Sequence, residues 1–308
     1  MYLITHNGKF HLDEILACVI LEKLYPNSTL LRTRDRKEIK RLVDENKHVA
    51  VFDVYDQFDH SLRLYDHHQR CFNDTFSSDY DVKLSSAGLI FKYYGKQFIL
   101  AFFSDIELSS EILEYLYIKI YEEYFLYEDA IDNGIDVGQK YKIRSLPDMV
   151  DNMYKGSSEK SEEIFFNAKK FVRNDFYLYL NSKRKDIALI SELRAIVKKT
   201  DKNDFFIYVG ENKNCSSIIH FLEKKYDRDF KFIIQKEEEQ FRVYAIAITA
   251  LSFKTKCPLQ EKWRGLRNEE LQRISGIDDA LFVHSTGFLG ITKSYDNAVK
   301  MCELSYRN

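Results

Sequence analysis

Four of the eight histidines fall in two short clusters, and each cluster carries an aspartate. His6 and His11 flank a polar loop, with Asp13 two residues beyond, while Asp66, His67 and His68 are consecutive. Asp53 stands in the apolar run 49–54, and Asp132 lies in EDAIDNGI (128–135). Mixed imidazole and carboxylate donors suit Mn²⁺, Fe²⁺ or Zn²⁺, whereas an all-oxygen set suits Mg²⁺ or Ca²⁺. Around two ions the mixture favours Mn²⁺, with Mg²⁺ as the alternative. The chemistry open to such a cluster is hydrolysis by a metal-activated water. A lone His or Asp at a strand end is more often a cap or a surface group. The argument therefore rests on several element ends presenting the same ligand types. His48, His60 and His220 have no such setting and are read as structural.

These side chains need elements that end at one place. Residues 2–5 read as a short strand that runs through a polar loop into a helix, where Ile15, Leu16, Val19, Ile20 and Leu24 recur at helical spacing. The run 49–54 reads as a strand ending in an aspartate, and 63–65 as a shorter one leading into Asp66-His67-His68. Strand ends in an open α/β sheet are where such folds place ligands. From Ser85 to about Leu180 the pattern is helical. Ser86-Ala87-Gly88 opens one helix and 109–127 forms a longer amphipathic one, which puts Asp132 just beyond a helix end. Residues 156–161 are the strongest loop signal in the middle of the chain. A charged helical stretch follows to 199, and strands are predicted at 205–209, 232–235, 242–249 and 280–284. The expected fold class is α/β: an open, mostly parallel sheet with flanking helices, plus a smaller C-terminal α/β domain. The expected division is 1–160 for the metal-binding domain, 161–201 for a helical connector and 202–308 for the smaller domain.

Composition narrows the function classes. The 308 residues suffice for two cores. Lys and Arg (46) nearly balance Asp and Glu (48), so no global field draws polyanions and any nucleic-acid contact must use a local basic surface. The candidate surface is Lys254, Lys256, Lys262, Arg264, Arg267 and Arg273, interleaved with Phe253 and Trp263 and diluted by Glu261, Glu269 and Glu270. The glycine-containing loop 284–290 (HSTGFLG) follows a predicted strand, and backbone amides in such a loop approach phosphate closely. Five cysteines without paired spacing imply a reducing compartment. The opening residues show neither a secretory nor a mitochondrial targeting pattern, and no apolar stretch reaches the length of a membrane span. The expectation is a cytoplasmic or nuclear protein with no membrane partner.

The segments THNGKFHLDEILAC (5–18), VAVFDV (49–54), YDHHQ (65–69), KLSSAGLIF (83–91), EDAIDNGI (128–135), WRGLRNEEL (263–271) and FVHSTGFLGITKSYDNAVKMC (282–302) resemble the DHH phosphoesterase superfamily, and more closely its MYG (melanocyte proliferating gene) branch. The resemblance runs nearly end to end. It implies a DHH-type catalytic domain and two divalent metal ions. His6 and His11 would hold one ion and Asp13, His67 and Asp132 the other, with Asp53 bridging. His11 departs from the superfamily, which often has an aspartate there. His68 is placed to contact the phosphate, and Asp66 to orient a neighbour. Arg264, Arg267, His284 and Gly287 would meet the substrate, although Ile291 stands where the family continues with a second glycine. The implied activity is metal-dependent phosphodiester hydrolysis, as a 3′–5′ RNA exonuclease. Two alternatives stay open: a hydrolase of short oligonucleotides, cyclic dinucleotides or other small phosphoesters, and a non-catalytic RNA- or ribonucleoprotein-binding regulator that keeps the metal site. The partner is then RNA or another phosphodiester, with a ribonucleoprotein as a further partner class.

Overall fold

Val49–Phe52 is buried along its whole length, as expected of a strand covered on both faces. It is the centre of the first of two compact units, Met1–Lys183 and Arg184–Asn308. The structure, a computed structural model, describes residues 1–45, 48–135, 144–156, 162–211, 215–249 and 252–307. The loop expected at 156–161 lies outside the described residues apart from Gly156, which caps a helix. The division between units falls inside the stretch read as a connector, so that one of its two helices belongs to each unit.

The first unit runs β1 (Tyr2–Thr5), α1 (Leu12–Leu24), β2 (Thr29–Arg32), α2 (Arg36–Glu45), β3 (Val49–Phe52), β4 (Phe58–Asp59), β5 (Leu64–Tyr65), α3 (Ser86–Phe102), α4 (Ser110–Ile120), α5 (Leu126–Asp132), α6 (Leu146–Lys155) and α7 (Glu162–Ser182). Its sheet has the order β2-β1-β3-β5-β4, parallel except for the β4–β5 pair. Since β1 is followed by β2 on one side and by β3 on the other, the chain reverses direction across the sheet between β1 and β3. Folds of this kind open a crevice at that point, beyond the carboxyl ends of the strands.

One sheet face is sealed by α2, whose Ile39 and Leu42 pack with Ile4, Val49, Val51, Val54 and Leu64. Helix α1 is buried at every position from Leu12 to Leu21 and packs against α3 and α7. A helix apolar all round belongs inside, and α1 is one except at Asp13 and Glu14. Those two acids, buried in the first turn, are the residues that core packing does not explain.

The helix expected over 109–127 is instead α4, a single π-helical turn at Tyr121–Phe125, and α5. A π turn inserts one residue without ending the helix, and such turns recur at functional sites. Asp132 is accordingly the last residue of a helix rather than a residue beyond one.

The second unit comprises α8 (Arg184–Lys199), β6 (Phe206–Tyr208), α9 (Ser216–Tyr226), β7 (Phe232–Glu237), β8 (Gln240–Ala245), α10 (Asn268–Ser275), β9 (Ala280–Val283), β10 (Leu289–Thr292) and α11 (Tyr295–Tyr306). Its sheet, ordered β6-β7-β8-β10-β9, is mixed, with one parallel pair, β6–β7. Phe232, Ile234, Val243, Leu259, Trp263, Leu271 and Met301 form its core. Among the described residues no helix is long and apolar enough to cross a membrane.

Candidate metal centre

The carboxyl ends of β1, β3 and β5 each hand the chain to a polar side chain. Thr5 precedes His6, Phe52 precedes Asp53, and Tyr65 precedes Asp66-His67-His68. Because β1, β3 and β5 are parallel neighbours, these groups share one edge of the sheet. The start of α1 brings His11 and Asp13 to the same edge, and the end of α5 brings Asp132. Asp53 sits in the left-handed region (φ 55°), as do Tyr55 and Asp56. Aspartate tolerates that conformation better than most residues, and the sharp turn aims the Asp53 side chain back over the strand ends.

Asp53 places one oxygen on each side of the site. Oδ2 lies 3.0 Å from His6 Nε2, and Oδ1 lies 3.6 Å from His67 Nε2. His67 Nε2 is also 3.2 Å from Asp132 Oδ2. Three sets of donor atoms therefore each fall within 4.8 Å of one another: His6, His11, Glu14 and Asp53; Asp53, His67 and His68; and Asp13, His67 and Asp132. All six side chains expected to bind metal enter at least one set. Glu14 enters as well, and the sequence reading did not single it out.

Electrostatics single out the same place. Burial outweighs all else on Asp13, and Asp53 and Asp132 push its carboxyl further above the ordinary range. Burial likewise raises Asp132, offset in part by His67. Asp53 goes the other way: burial would raise it, but the hydrogen bond from His6 and the nearby His67 ring hold it well below the usual range. On His6, burial alone would favour the neutral ring, yet Asp53 and Glu14 lift it to about 10. Both oxygens of Asp13, Glu14 Oε1 and His67 Nε2 are buried without a hydrogen-bond partner. Such atoms are costly in a folded protein unless something else meets them. Divalent cations would meet all four, so the donor set fits the metals the sequence implies.

Asp66 stands behind this set. Its Oδ2 accepts the Asp56 N–H at 2.6 Å, and its Oδ1 accepts both the backbone N–H and Nδ1–H of His68, at 3.1 Å and 2.6 Å. The carboxylate holds the His68 ring above its ordinary pKa against the opposing effect of partial burial. His68 is 57% exposed, so its outer face is open to a ligand. Asp66→Asn would leave the metal donors in place and loosen this ring. A 10–100-fold drop in turnover with unchanged metal content is the expected result, measured by steady-state kinetics beside metal analysis.

Asp129, one turn before Asp132, anchors α5 to α3. Its Oδ1 accepts the Ser85 backbone N–H at 2.8 Å and the Ser85 hydroxyl at 2.7 Å. Burial raises its carboxyl to about 7 despite those bonds. Gly88 makes the approach possible, since a Cβ there would lie 2.3 Å from Asp129 Oδ1. Gly88→Ala must displace α5 or the carboxylate. A destabilisation of about 1–3 kcal/mol is expected, read as a lower midpoint in thermal or urea unfolding.

In the second unit Arg264 lies beside the loop that carries His284 and Gly287, whereas Arg267 packs on β9. Arg264 Nε donates to Leu259 O at 3.1 Å and lies against Gly287, where φ is +74° and a Cβ would come within 2.7 Å of that nitrogen. Arg267 stacks over Phe282 at 4.3 Å. His284 borders a cavity of about 680 Å³ together with Gln235, Arg242, Tyr244, Thr286 and Phe288, and its Nδ1 accepts the Thr286 N–H at 3.2 Å. Of the expected basic surface, Lys256 is engaged by Glu223 and Asp229, and of its two aromatic residues Trp263 is buried in the core while Phe253 is exposed.

Fold and site together define an α/β protein with a partly buried histidine–aspartate donor cluster at the switch point of a mostly parallel sheet. The family model MYG1_exonuc, described as Uncharacterised protein family (UPF0160), matches residues 2–306, and the chain belongs to that family. Its relatives include a MYG1 protein of Schizosaccharomyces pombe, 33% identical over 96% of this chain and 94% of its own length, and one of Dictyostelium discoideum, 34% identical over the same shares. A human protein named MYG1 exonuclease is 31% identical over 96% of this chain and 83% of its own length. Among solved structures, RecJ of Thermus thermophilus in complex with Mn²⁺ aligns with all of this chain and 52% of its own, at 11% identity and a TM-score of 0.27. A pGpG-specific phosphodiesterase from Vibrio cholerae aligns with 98% of this chain and 96% of its own, also at 11% identity and 0.27.

Proposed function

We propose that this chain is a metal-dependent phosphodiester hydrolase of the DHH type, acting as a 3′–5′ RNA exonuclease with two Mn²⁺ ions, Mg²⁺ being the alternative. The observation that carries the reading is Asp53, whose two oxygens face two different donor sets. A carboxylate so placed suits a bridge between two ions. His6 and His11 would belong to one ion, and Asp13, His67 and Asp132 to the other. Ions held by these residues would supply the chemistry of a metal-activated water and of charge neutralisation at the phosphoryl oxygens. The protein supplies the rest. Asp53 fixes the separation of the two donor sets. His68, steadied by Asp66, presents a ring N–H to a non-bridging phosphate oxygen. The buried walls of α1 and α5 exclude bulk water, which strengthens each of these contacts.

Four residues of the second unit are assigned to substrate binding. His284 borders the cavity, Gly287 gives its loop the left-handed turn, Arg264 braces that loop, and Arg267 supports β9 through Phe282. The names of several relatives, which call them exonucleases, favour the same direction.

A second reading draws on the cavity. At about 680 Å³, and lined by Tyr244, Phe253 and Phe288, it has the size and the apolar walls of a small-ligand site. This favours short oligonucleotides or cyclic dinucleotides over long RNA. The two readings part on one experiment: 5′-end-labelled RNA and a set of dinucleotides are offered with Mn²⁺, Mg²⁺ or EDTA. An exonuclease gives a ladder of products shortened one unit at a time from the 3′ end, dependent on metal. Turnover confined to dinucleotides would replace the exonuclease reading. RNA binding indifferent to EDTA, with no turnover at all, would leave a non-catalytic binding protein.

A further inference from the structure

Glu14 belongs to neither ligand group of the superfamily pattern, yet it is the side chain that touches both histidines of the first donor set. It is the third residue of α1 and has no solvent exposure. Its Oε2 accepts the His11 backbone N–H at 2.9 Å. Its Oε1 lies 3.2 Å from His6 Nε2 and makes no hydrogen bond. The same ring nitrogen is 3.0 Å from Asp53 Oδ2. A capping box at a helix start needs only one glutamate oxygen, and Oε2 fills that role. Capping therefore leaves the second oxygen unexplained, buried and turned toward the space between His6 and Asp53.

Charge balance favours the same assignment. Without Glu14 the first set offers two neutral imidazoles and one oxygen of a shared carboxylate. With it, Asp13, Glu14, Asp53 and Asp132 bring as many negative charges as two divalent ions bring positive ones. Uncompensated charge in a buried site is expensive. Asp66 and Asp129 are committed to His68 and Ser85, and Glu128 enters none of the donor sets.

We propose that Glu14 is the fourth donor of the histidine-rich position, completing His6, His11 and Asp53 around a first-row divalent cation such as Mn²⁺. Two imidazoles in the set then make that position prefer Mn²⁺ to Mg²⁺. The inference rests on the metal-binding reading above. Its test is binding rather than turnover: Mn²⁺ titrated by calorimetry, and counted after gel filtration, in the wild-type chain and in Glu14→Gln. The glutamine oxygen still accepts from His11 N–H, so the cap survives while the charge is lost. Retention of one ion per chain instead of two is expected, with affinity at the lost position weakened by more than about 100-fold. The unfolding midpoint in EDTA should match that of the wild type. Two ions bound by Glu14→Gln with wild-type affinities would overturn the proposal. If that variant does not fold, Glu14→Asp, which keeps the charge but not the reach, is read in the same way: binding weakened tenfold or more supports the assignment, and unchanged binding overturns it. A wild-type chain that binds no ion would instead end the metal reading itself, a distinct failure.

Discussion

Asp53→Asn is expected to reduce phosphodiester hydrolysis by more than about 100-fold, since even partners outside a metal's ligand shell cost 10–100-fold when removed. Asparagine is the informative replacement here. Asp53 holds a left-handed backbone conformation (φ 55°), which asparagine also accepts and alanine resists. The side-chain volume stays, so packing against β3 and β5 is undisturbed and the loss reports the missing charge. Because one oxygen faces His6 and the other His67, both donor sets should weaken together. Kinetics at several Mn²⁺ concentrations decide the matter. A loss that excess Mn²⁺ restores would place Asp53 at the rim of the site, whereas a loss that persists fits a bridge. Hydrolysis at the wild-type rate would remove the two-ion account.

Chelation should also destabilise the first unit, by an amount large enough to see in a melting curve. Asp13 and Asp132 are pushed up by burial and by neighbouring carboxylates, and Asp13 has no hydrogen-bond partner. Cations that bind only the folded chain relieve that cost. Free metal at 100 times its Kd contributes about 2.7 kcal/mol per site. For a domain of roughly 150–250 residues each kcal/mol moves the midpoint by about 2–4 °C, so each site should be worth about 5–10 °C. EDTA is expected to lower the midpoint of the wild-type protein by at least that much, with the loss reversed by Mn²⁺. Asp53→Asn should show little response. A wild-type midpoint indifferent to EDTA and Mn²⁺ would mean that the acidic cluster is balanced in some other way.

The parts of this site legible in the sequence are those where residue type and element end coincide. His6, Asp53 and His67 each follow a buried apolar run, and a parallel strand leaves no other place for a polar group than its end. Glu14 was not singled out because an acid in the first turn of a helix is ordinary, and only the burial of its second oxygen sets it apart. Asp129 was hidden for a related reason: its partner is the start of α3, 44 residues away, and Gly88 discloses the contact only once the two helices are placed. The π turn at Tyr121–Phe125 shifts the helical phase by one residue, so the apolar spacing over 109–127 suggested an earlier helix end. β2, β4 and β10 were missed as strands, β4 being only two residues long. β2 lies at a sheet edge with only partial burial, and β10 contains a glycine, so neither has the alternation or continuous apolar run that marks a strand. Arg264 and Arg267 read as basic surface groups by composition, and the contacts that orient them, a hydrogen bond from Arg264 Nε to a carbonyl and the stacking of Arg267 on a phenyl ring, involve partners that spacing alone does not disclose.

Everything proposed for this chain depends on paired cations, and the most direct measurement is the number of divalent ions held per chain. Protein equilibrated with Mn²⁺, passed through gel filtration and analysed by plasma mass spectrometry should carry close to two ions per chain, with fewer in Asp53→Asn. A chain that hydrolyses phosphodiesters while carrying none would contradict the account.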